Sequence, residues 1–310
     1  MNTDTALFVE PAATGIDAIE NYVAATSLQQ ALAALASTAS QGGAVVLAGG
    51  TDLMPQSRAG RNFAPACTLL NIRRVAGLDR IEVDGGMLRV GTLVTITRLL
   101  TDELVRAHAP LLALAADHFA SEQIRNAATL GGNVCNASPA GDMLPPLLAL
   151  DAEVELASLD ADGTQVTRRL PLADFVTGPG RTARAAHELL TALRVPLAPP
   201  GQRSGFFKGG TRPGLDISTV SIAFAAQRDG DGRLHGVRLA LGAVAPTPLR
   251  ARRAEALLEG RALDSELALR AAASAADEAT PIDDVRASAW YRRELLRNMT
   301  RRVLNDADHA

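Results

Sequence analysis

The stretch at residues 198–202, Ala-Pro-Pro-Gly-Gln, restricts the fold of this chain more than any other sequence feature. Clustered proline and glycine interrupt both helices and strands, so such a stretch is typical of a linker. A chain of 310 residues is also too long for one small core and favours two or three lobes. The sequence therefore predicts an α+β protein with a boundary near residue 200.

Hydrophobic periodicity predicts the elements before this boundary. Ser27 is expected to cap the first helix, and Gly85-Gly86 suits the tight turn of a β-hairpin. The predicted helices are residues 27–36, 96–107 (capped by Thr95) and 111–119, followed by an irregular segment at 126–136. The predicted strands are residues 44–47, 68–72, 152–157 and 189–195, together with the hairpin at 81–90.

The pattern changes beyond the boundary. Two long strands are predicted at residues 216–227 and 234–244, joined by the turn at 229–232. Three helices are predicted after them, at residues 248–259, 265–278 and 287–304. The last third of the chain is therefore expected to be a small sheet covered by helices.

Composition excludes several classes of function. The net charge is −3 and the pI is near 6.0, so no basic face for nucleic acid is expected. Cys67 and Cys135 are far apart and lack a Cys-x-x-Cys partner, and the five histidines have no metal-ligand spacing. We therefore expect neither a disulfide framework nor a protein-bound metal on this chain. The sequence has no nucleophile elbow and no paired catalytic carboxylates, so no catalytic residue is assigned to it.

The start of the sequence bears on its location. Residues 1–4 lack the basic stretch and apolar run of a signal peptide, and no apolar stretch is long enough to span a bilayer. A cytoplasmic location is expected. A periplasmic one is open only if the chain is exported with a partner that carries the signal.

A first glycine-rich loop is predicted at residues 48–53, directly after a short buried strand. Its glycines let the backbone turn sharply and approach a ligand with no Cβ in the way. Successive free N–H groups form an anion nest, to which Thr51 adds a hydroxyl donor. The loop would suit a pyrophosphate. Taken alone, it is also consistent with a simple turn.

A second glycine-rich segment covers residues 129–142 and reads Thr-Leu-Gly-Gly-Asn-Val-Cys-Asn-Ala-Ser-Pro-Ala-Gly-Asp. Few structural turns need so many hydrogen-bonding residues in succession. Asn133 and Ser138 are able to donate to phosphate or flavin oxygens, and Asp142 is able to accept from a ribose or ribityl hydroxyl. Neither segment matches the Rossmann or P-loop pattern. The residues alone therefore predict two anion-friendly loops and leave the ligand open.

The pairing of Leu-Ala-Gly-Gly-Thr-Asp-Leu at 47–53 with the segment at 129–142 closely resembles the FAD-binding medium subunit of the xanthine dehydrogenase/carbon monoxide dehydrogenase family of molybdenum hydroxylases. Supporting similarities cover essentially the whole chain. They are Thr182, Glu188-Leu189-Leu190, Pro196, Phe207-Lys208, Arg212 and Asp216.

The resemblance implies a fold. Residues 1–197 would form an FAD-binding domain of two α+β subdomains, a PCMH-like arrangement. Residues 203–310 would form a C-terminal domain with a three-stranded antiparallel sheet and a helical bundle, like that of the carbon monoxide dehydrogenase flavoprotein. The pattern predicted for the last third of the chain agrees with this expectation.

The resemblance also implies cofactor-binding residues. The FAD pyrophosphate would lie on residues 47–53 and again near 130–133, Asp142 would meet the ribose, and Phe119 would pack near the flavin. Leu190 and Lys208 would complete the pocket. The full set is Leu47, Ala48, Gly49, Gly50, Thr51, Asp52, Leu53, Phe119, Thr129, Leu130, Gly131, Gly132, Asn133, Ser138, Asp142, Leu190 and Lys208.

Two positions depart from the family or invite a hypothesis. Arg184 stands where relatives usually have an apolar residue before Glu-Leu-Leu, and the cysteine-bearing insertion of some relatives is absent. Cys135 lies at a position that in some relatives is near the reactive edge of the flavin. One hypothesis is that it tunes access of the oxidant. The alternative is a small buried thiol that fills space.

The function implied is that of the FAD subunit in a three-subunit molybdenum hydroxylase. A large partner would hold the molybdenum cofactor and oxidise the substrate. A small partner would carry electrons through two 2Fe–2S clusters to FAD on this chain, from which they would leave to an external acceptor. Two alternatives remain at this point: a stand-alone FAD oxidase of the vanillyl-alcohol oxidase architecture, and a nucleotide-binding scaffold without redox function.

Overall fold

The computed structural model describes residues 18–41, 43–59, 67–212 and 216–309. The first part contains a three-stranded parallel sheet in the order β1-β3-β2. Ser27 accepts a hydrogen bond from the Gln30 N–H and caps α1, as predicted. The elements are β1 (Ile19–Ala24), α1 (Leu28–Thr38), β2 (Ala44–Leu47), α2 (Leu53–Arg58) and β3 (Cys67–Asn71).

A five-stranded antiparallel sheet follows, in the order β4-β5-β10-β6-β7. Gly85 and Gly86 both have positive φ, as the predicted hairpin turn requires. The helices within residues 96–149 supply the buried layer on this sheet. The strands are β4 (Ile81–Asp84), β5 (Met87–Gly91), β6 (Glu153–Leu159), β7 (Gln165–Pro171) and β10 (Leu189–Pro196).

The helices in this part differ from the prediction at two places. The single helix predicted for residues 96–107 is wrong, because Asp102 is extended and its carboxylate caps a new helix by accepting from the Leu104 and Val105 N–H groups. The irregular segment predicted at 126–136 is wrong as well, since it is largely helical. The elements are α3 (Ile96–Thr101), α4 (Glu103–His108), α5 (Pro110–Asp117), α6 (Glu122–Ala127), α7 (Leu130–Asn136), α8 (Leu144–Ala149), α9 (Leu172–Phe175) and the small hairpin β8 (Val176–Gly178) and β9 (Arg181–Thr182).

The last part is an antiparallel sheet covered by three helices, as predicted. Its three long strands carry the expected sheet, and the two-residue β14 adds a short fourth strand at one edge. The elements are β11 (Gln202–Gly209), β12 (Val220–Arg228), β13 (Leu234–Gly242), β14 (Leu249–Arg250), α10 (Arg252–Leu258), α11 (Ser265–Glu278) and α12 (Ala289–His309). The α+β class expected from the sequence is confirmed.

The junction between the two halves is formed by α8. All six of its residues are buried, and it packs on β12 and β13. Acidic side chains flank this helix on both sides: Asp142 precedes it and contacts Lys208 on β11, and Asp151 follows it and contacts Arg238 and Arg250. The two halves are therefore joined by an apolar helix between two clusters of ion pairs.

Candidate functional site

The first glycine-rich loop lies at the carboxyl end of β2, in a parallel sheet. Gly50 has a φ of +73°, a conformation that suits glycine. The backbone N–H groups of Gly49, Gly50, Thr51 and Asp52 donate to no other group in the described part of the chain. Four successive free donors at the carboxyl edge of parallel strands form an electropositive cradle.

Asp52 connects this loop to α7. Burial raises the pKa of its carboxyl, and a hydrogen bond from the Asn136 side chain acts in the opposite direction. The Gln56 amide also donates to Asp52. Asp52 precedes α2 but does not cap it through its side chain, so its carboxylate is directed to these side-chain partners.

The second segment is a helix where the sequence predicted a loop. Thr129 caps α7 by accepting from the Gly132 N–H at 3.1 Å, and its carbonyl accepts from the Asn133 N–H at 3.0 Å. The N–H groups of Leu130 and Gly131 bind the carbonyls of Val94 and Thr92 at 2.9 and 3.0 Å. All four N–H groups therefore donate to acceptors within the protein and are not free to bind a ligand. Any ligand contact from residues 129–133 has to come from side chains or from the exposed surface at Gly132.

Close backbone packing explains two of the glycines in these segments. A Cβ on Gly49 would lie 2.0 Å from the Ala127 carbonyl oxygen, and a Cβ on Gly131 would lie 1.7 Å from Thr92 Oγ1. Gly49 therefore holds the first loop against the end of α6, immediately before Thr129. The structure brings the two predicted segments side by side through this contact.

The end of the second segment is fixed by its own hydrogen bonds. Ser138 Oγ accepts from the Ala140 N–H at 3.3 Å, and Asn133 Oδ1 accepts from the Met143 N–H at 3.3 Å. The Pro139 carbonyl accepts from the N–H of Ala243, the residue after β13, at 2.8 Å. The polar residues of this segment thus shape the loop that leads to Asp142.

Asp142 lies at the junction of the two halves. Lys208 Nζ is 2.6 Å from Asp142 Oδ2, and Ser218 Oγ donates to Asp142 Oδ1 at 2.5 Å. Burial raises the pKa of Asp142, while the neighbouring Lys208, Ser218 and His118 lower it. Lys208 has no other acceptor within the described residues, so its remaining N–H donors are available to a ligand.

Phe119 and Leu190 are packed into the main core. Phe119 follows α5, and its carbonyl accepts from Arg125 of α6 at 3.0 Å. Leu190 lies on β10 beside Thr191, whose carbonyl accepts from the Thr92 N–H at 2.9 Å. Both side chains belong to the same buried cluster as Leu130 and Val134 of α7. Both side chains therefore contribute to the buried apolar cluster that holds α7 in place.

The predicted residues therefore fall into three adjoining groups. The first is the loop from Leu47 to Leu53, which contacts the α6–α7 connection; the second is α7 with Phe119 and Leu190; the third is Asp142 with Lys208. Sequence reasoning missed Thr92, Ala127 and Ser218, which hold these groups in place. Ser218 is 76 residues from Asp142 along the chain, and no local pattern announces such a contact.

Cys135 and Arg184 also have defined surroundings. Burial raises the pKa of the Cys135 thiol to about 11, and its side chain packs against the main core. The guanidinium of Arg184 donates to the Glu188 carbonyl at 2.7 Å. Arg184 thus closes the turn before β10 by a polar contact, where an apolar residue is expected from the family.

In residues 18–41, 43–59, 67–212 and 216–309, no group of three or more His, Cys, Asp or Glu side chains is placed to hold a metal ion. Within the same ranges, no helix combines the length and apolar character that crossing a membrane requires.

Comparison with known proteins decides the family. Residues 17–198 match the family described as FAD binding domain in molybdopterin dehydrogenase, and residues 205–307 match the CO dehydrogenase flavoprotein C-terminal domain. The chain therefore belongs to the xanthine dehydrogenase/carbon monoxide dehydrogenase family. It is an FAD-binding medium subunit of the xanthine dehydrogenase/carbon monoxide dehydrogenase type, and hence part of an oxidoreductase with FAD as its cofactor.

Individual relatives of this medium subunit cover most of its length. The xanthine dehydrogenase FAD-binding subunit of Escherichia coli O157:H7 is 34% identical over 266 residues, which is 85% of this chain and 88% of the relative. The carbon monoxide dehydrogenase medium chain of Hydrogenophaga pseudoflava is 31% identical, over 92% of this chain and 96% of the relative. A solved structure of carbon monoxide dehydrogenase from Hydrogenophaga pseudoflava matches with a TM-score of 0.85 and 32% identity, covering 93% of this chain and 96% of that chain.

Proposed function

We propose that this medium subunit holds one FAD and transfers electrons within a heterotrimeric molybdenum hydroxylase. A large partner subunit would carry the molybdenum cofactor, and a small partner would carry two 2Fe–2S clusters. The chain would take electrons from those clusters and pass them to an external acceptor. In this proposal residues 1–197 are the FAD-binding domain and residues 203–310 the C-terminal domain.

The observation that carries the proposal is the set of free N–H donors from Gly49 to Asp52, held beside the α6–α7 connection. Such a cradle suits the two negative charges of a pyrophosphate. Four successive N–H groups without an acceptor in the described residues, in a glycine-rich turn that is only partly buried, are the arrangement of an anion nest and favour an anionic ligand at this place. The α7 amides are engaged elsewhere, and we therefore assign the pyrophosphate to the first loop.

The remaining groups would surround the rest of the cofactor. Lys208 contributes a buried ammonium with spare donors, held by Asp142. Phe119 and Leu190 contribute apolar packing behind α7. FAD, when bound, supplies one- and two-electron redox chemistry, while the protein positions it and sets its surroundings.

The substrate of the complex would be selected by the large partner. Similar medium subunits are named for xanthine dehydrogenase and for carbon monoxide dehydrogenase, although the two substrates differ greatly in size and chemistry. The contribution of this chain would therefore be the flavin site and the path of the electrons.

An absorption spectrum of the purified full chain tests the cofactor assignment. We expect flavin bands and about one FAD per chain. Gly49→Ala should reduce FAD content strongly, because its Cβ would collide with the Ala127 carbonyl and separate the loop from α6. Gly230→Ala is the matched control, since a Cβ there meets nothing within 4 Å. Absence of flavin from the wild-type chain would refute the proposal.

Co-purification tests the partnership. A tagged chain expressed in its native host should bring down a molybdenum-containing large subunit and a subunit with 2Fe–2S clusters, identified by mass spectrometry and metal analysis. Recovery of the flavoprotein alone under conditions that preserve known heterotrimers would instead favour a stand-alone flavin enzyme.

A further inference from the structure

The carboxylate of Asp142 comes from the first half of the chain, but its two hydrogen-bond donors come from the second. Lys208 lies on β11 and Ser218 lies just before β12. Both Asp142 and Ser218 are buried, with 7% and 1% of their surface exposed. Asp142 is thus cut off from solvent, and its state depends on these two donors.

Ser218 has a specific role in this arrangement. Its hydroxyl donates one hydrogen bond, and that bond goes to Asp142 Oδ1 at 2.5 Å. A hydrogen bond to an ionised acceptor is worth more than one between neutral groups. The lysine occupies the other carboxylate oxygen, Oδ2, so the two donors do not compete. Ser218 therefore stabilises the ionised form of Asp142 independently of Lys208.

Two basic side chains face Asp142, those of Lys208 on β11 and His118 at the end of α5, and both lower its pKa. Burial has the larger effect in the opposite direction, so the pKa of Asp142 is raised. Protonation of Asp142 would leave the Lys208 ammonium without its counter-ion. Loss of one donor is expected to shift this balance further toward the protonated acid.

We propose that Ser218 is a positioning residue of the flavin site, which acts by holding Asp142 ionised and oriented so that Asp142 in turn holds the Lys208 ammonium in place. The inference rests on the proposed FAD site, since Lys208 is the group expected to meet the cofactor. A buried serine that is remote in sequence from both glycine-rich segments would thus control the protonation of Asp142.

The direction of the pH effect follows from the raised pKa. A carboxyl with a raised pKa is ionised only above that value, so the Asp142–Lys208 pair is present at higher pH and is lost on acidification. Removing the Ser218 hydroxyl moves the loss to higher pH. FAD affinity of Ser218→Ala should therefore fall below that of wild type by roughly tenfold on the acidic side and converge with it at alkaline pH.

The test uses the full-length apoprotein, titrated with FAD at a series of pH values and followed by quenching of flavin fluorescence. Ser221→Ala is the matched control: Ser221 is also buried, and its hydroxyl has no partner in the described residues. Wild type and Ser221→Ala should have the same acid limb, and Ser218→Ala should have one displaced to higher pH. Thermal unfolding, measured alongside, identifies any general loss of structure.

A double-mutant cycle tests whether Ser218 acts through Asp142. In the Asp142→Asn background, Ser218→Ala should have little further effect on FAD affinity, because the titrating carboxyl is gone. Additive effects, or an acid limb for Ser218→Ala that coincides with wild type, would overturn the inference while leaving the FAD site intact. A wild-type chain that binds no FAD at any pH would instead remove the proposed function, and this inference with it.

Discussion

The guanidinium of Arg250 binds Asp151 across the junction of the two halves, with Nη1 2.7 Å from Oδ1. The arginine side chain is only 5% exposed and also pairs with Glu255, whose side chain is buried. Asp151 adopts a φ of +51°, in the left-handed region, which places its carboxylate between Arg250 and Arg238. One acidic residue after α8 thus satisfies two cations of the C-terminal sheet.

This arrangement predicts that replacing Asp151 and replacing Glu255 lower the free energy of unfolding by different amounts. Asp151→Asn should destabilise the protein by about 1–2 kcal/mol, because Arg250 keeps Glu255 and asparagine tolerates the left-handed conformation. Glu255→Gln should cost more, about 3–5 kcal/mol, because it breaks the buried pair. Urea unfolding at neutral pH measures both, with the exposed turn variant Asp162→Asn as the control. Equal costs for the two variants would contradict this assignment.

Asp284 should make stability depend on pH in the acid range. Despite partial desolvation, hydrogen bonds from the Arg286 and Ala287 N–H groups and from Arg292 lower its pKa to about 2. An acid with a lowered folded pKa stabilises the fold above its ordinary pKa of 3.8, and this contribution is lost as the pH falls toward 2.

The variant Asp284→Asn isolates this effect. It leaves the buried guanidinium of Arg292 without its counter-ion and should cost about 2–3 kcal/mol at neutral pH. The difference from wild type should shrink as the pH falls from about 4 to about 2. Urea unfolding at several pH values measures it. A difference that stays constant over this range would show that Asp284 does not titrate as described.

Local sequence patterns predicted the elements whose signals lie within a few residues. Ser27 as a helix cap, the Gly85-Gly86 turn and the start of α11 at Ser265 all agree with the structure. The patterns failed where tertiary contacts decide. Gly131 and Gly132 argue against a helix, yet α7 forms because the Val94 and Thr92 carbonyls accept its first amides. Strand β11 was missed because glycines at 205 and 209 make room for α12.

The candidate site was only partly predictable from the sequence, because tertiary contacts also determine it. The first loop was predicted with its free N–H groups, because a strand that ends in Gly-Gly requires little from the rest of the fold. The contact of Asp142 with Ser218 depends on the packing of α8 against β12, and periodicity carries no information about that packing. The resemblance to a family supplied Lys208 and Leu190, which local reasoning would not have selected.

Cys135 should behave as an unreactive thiol. With a pKa of about 11, it is almost entirely protonated at neutral pH, and the thiolate is the form that reacts. Iodoacetamide should therefore label Cys135 far more slowly in the folded protein than in urea. Cys135→Ala should leave the rate of electron transfer to the acceptor unchanged. Rapid labelling of the folded protein, or altered acceptor kinetics, would restore the hypothesis that this thiol controls access to the flavin.

Gly131→Ala should lower FAD binding through the second segment without unfolding the whole protein. Its Cβ would lie 1.7 Å from Thr92 Oγ1 and 2.9 Å from the Thr92 carbonyl, so α7 has to move away from Thr92, the residue that follows β5. Such overpacking costs about 1–3 kcal/mol or more, and the displaced helix also carries Asn136, the partner of Asp52. FAD content should therefore fall even in molecules that remain folded by circular dichroism. Gly230→Ala, in the turn between β12 and β13, is the control, because a Cβ there meets nothing within 4 Å. Equal FAD content in the two variants would show that the close approach of α7 to Thr92 is not needed to form the cofactor site.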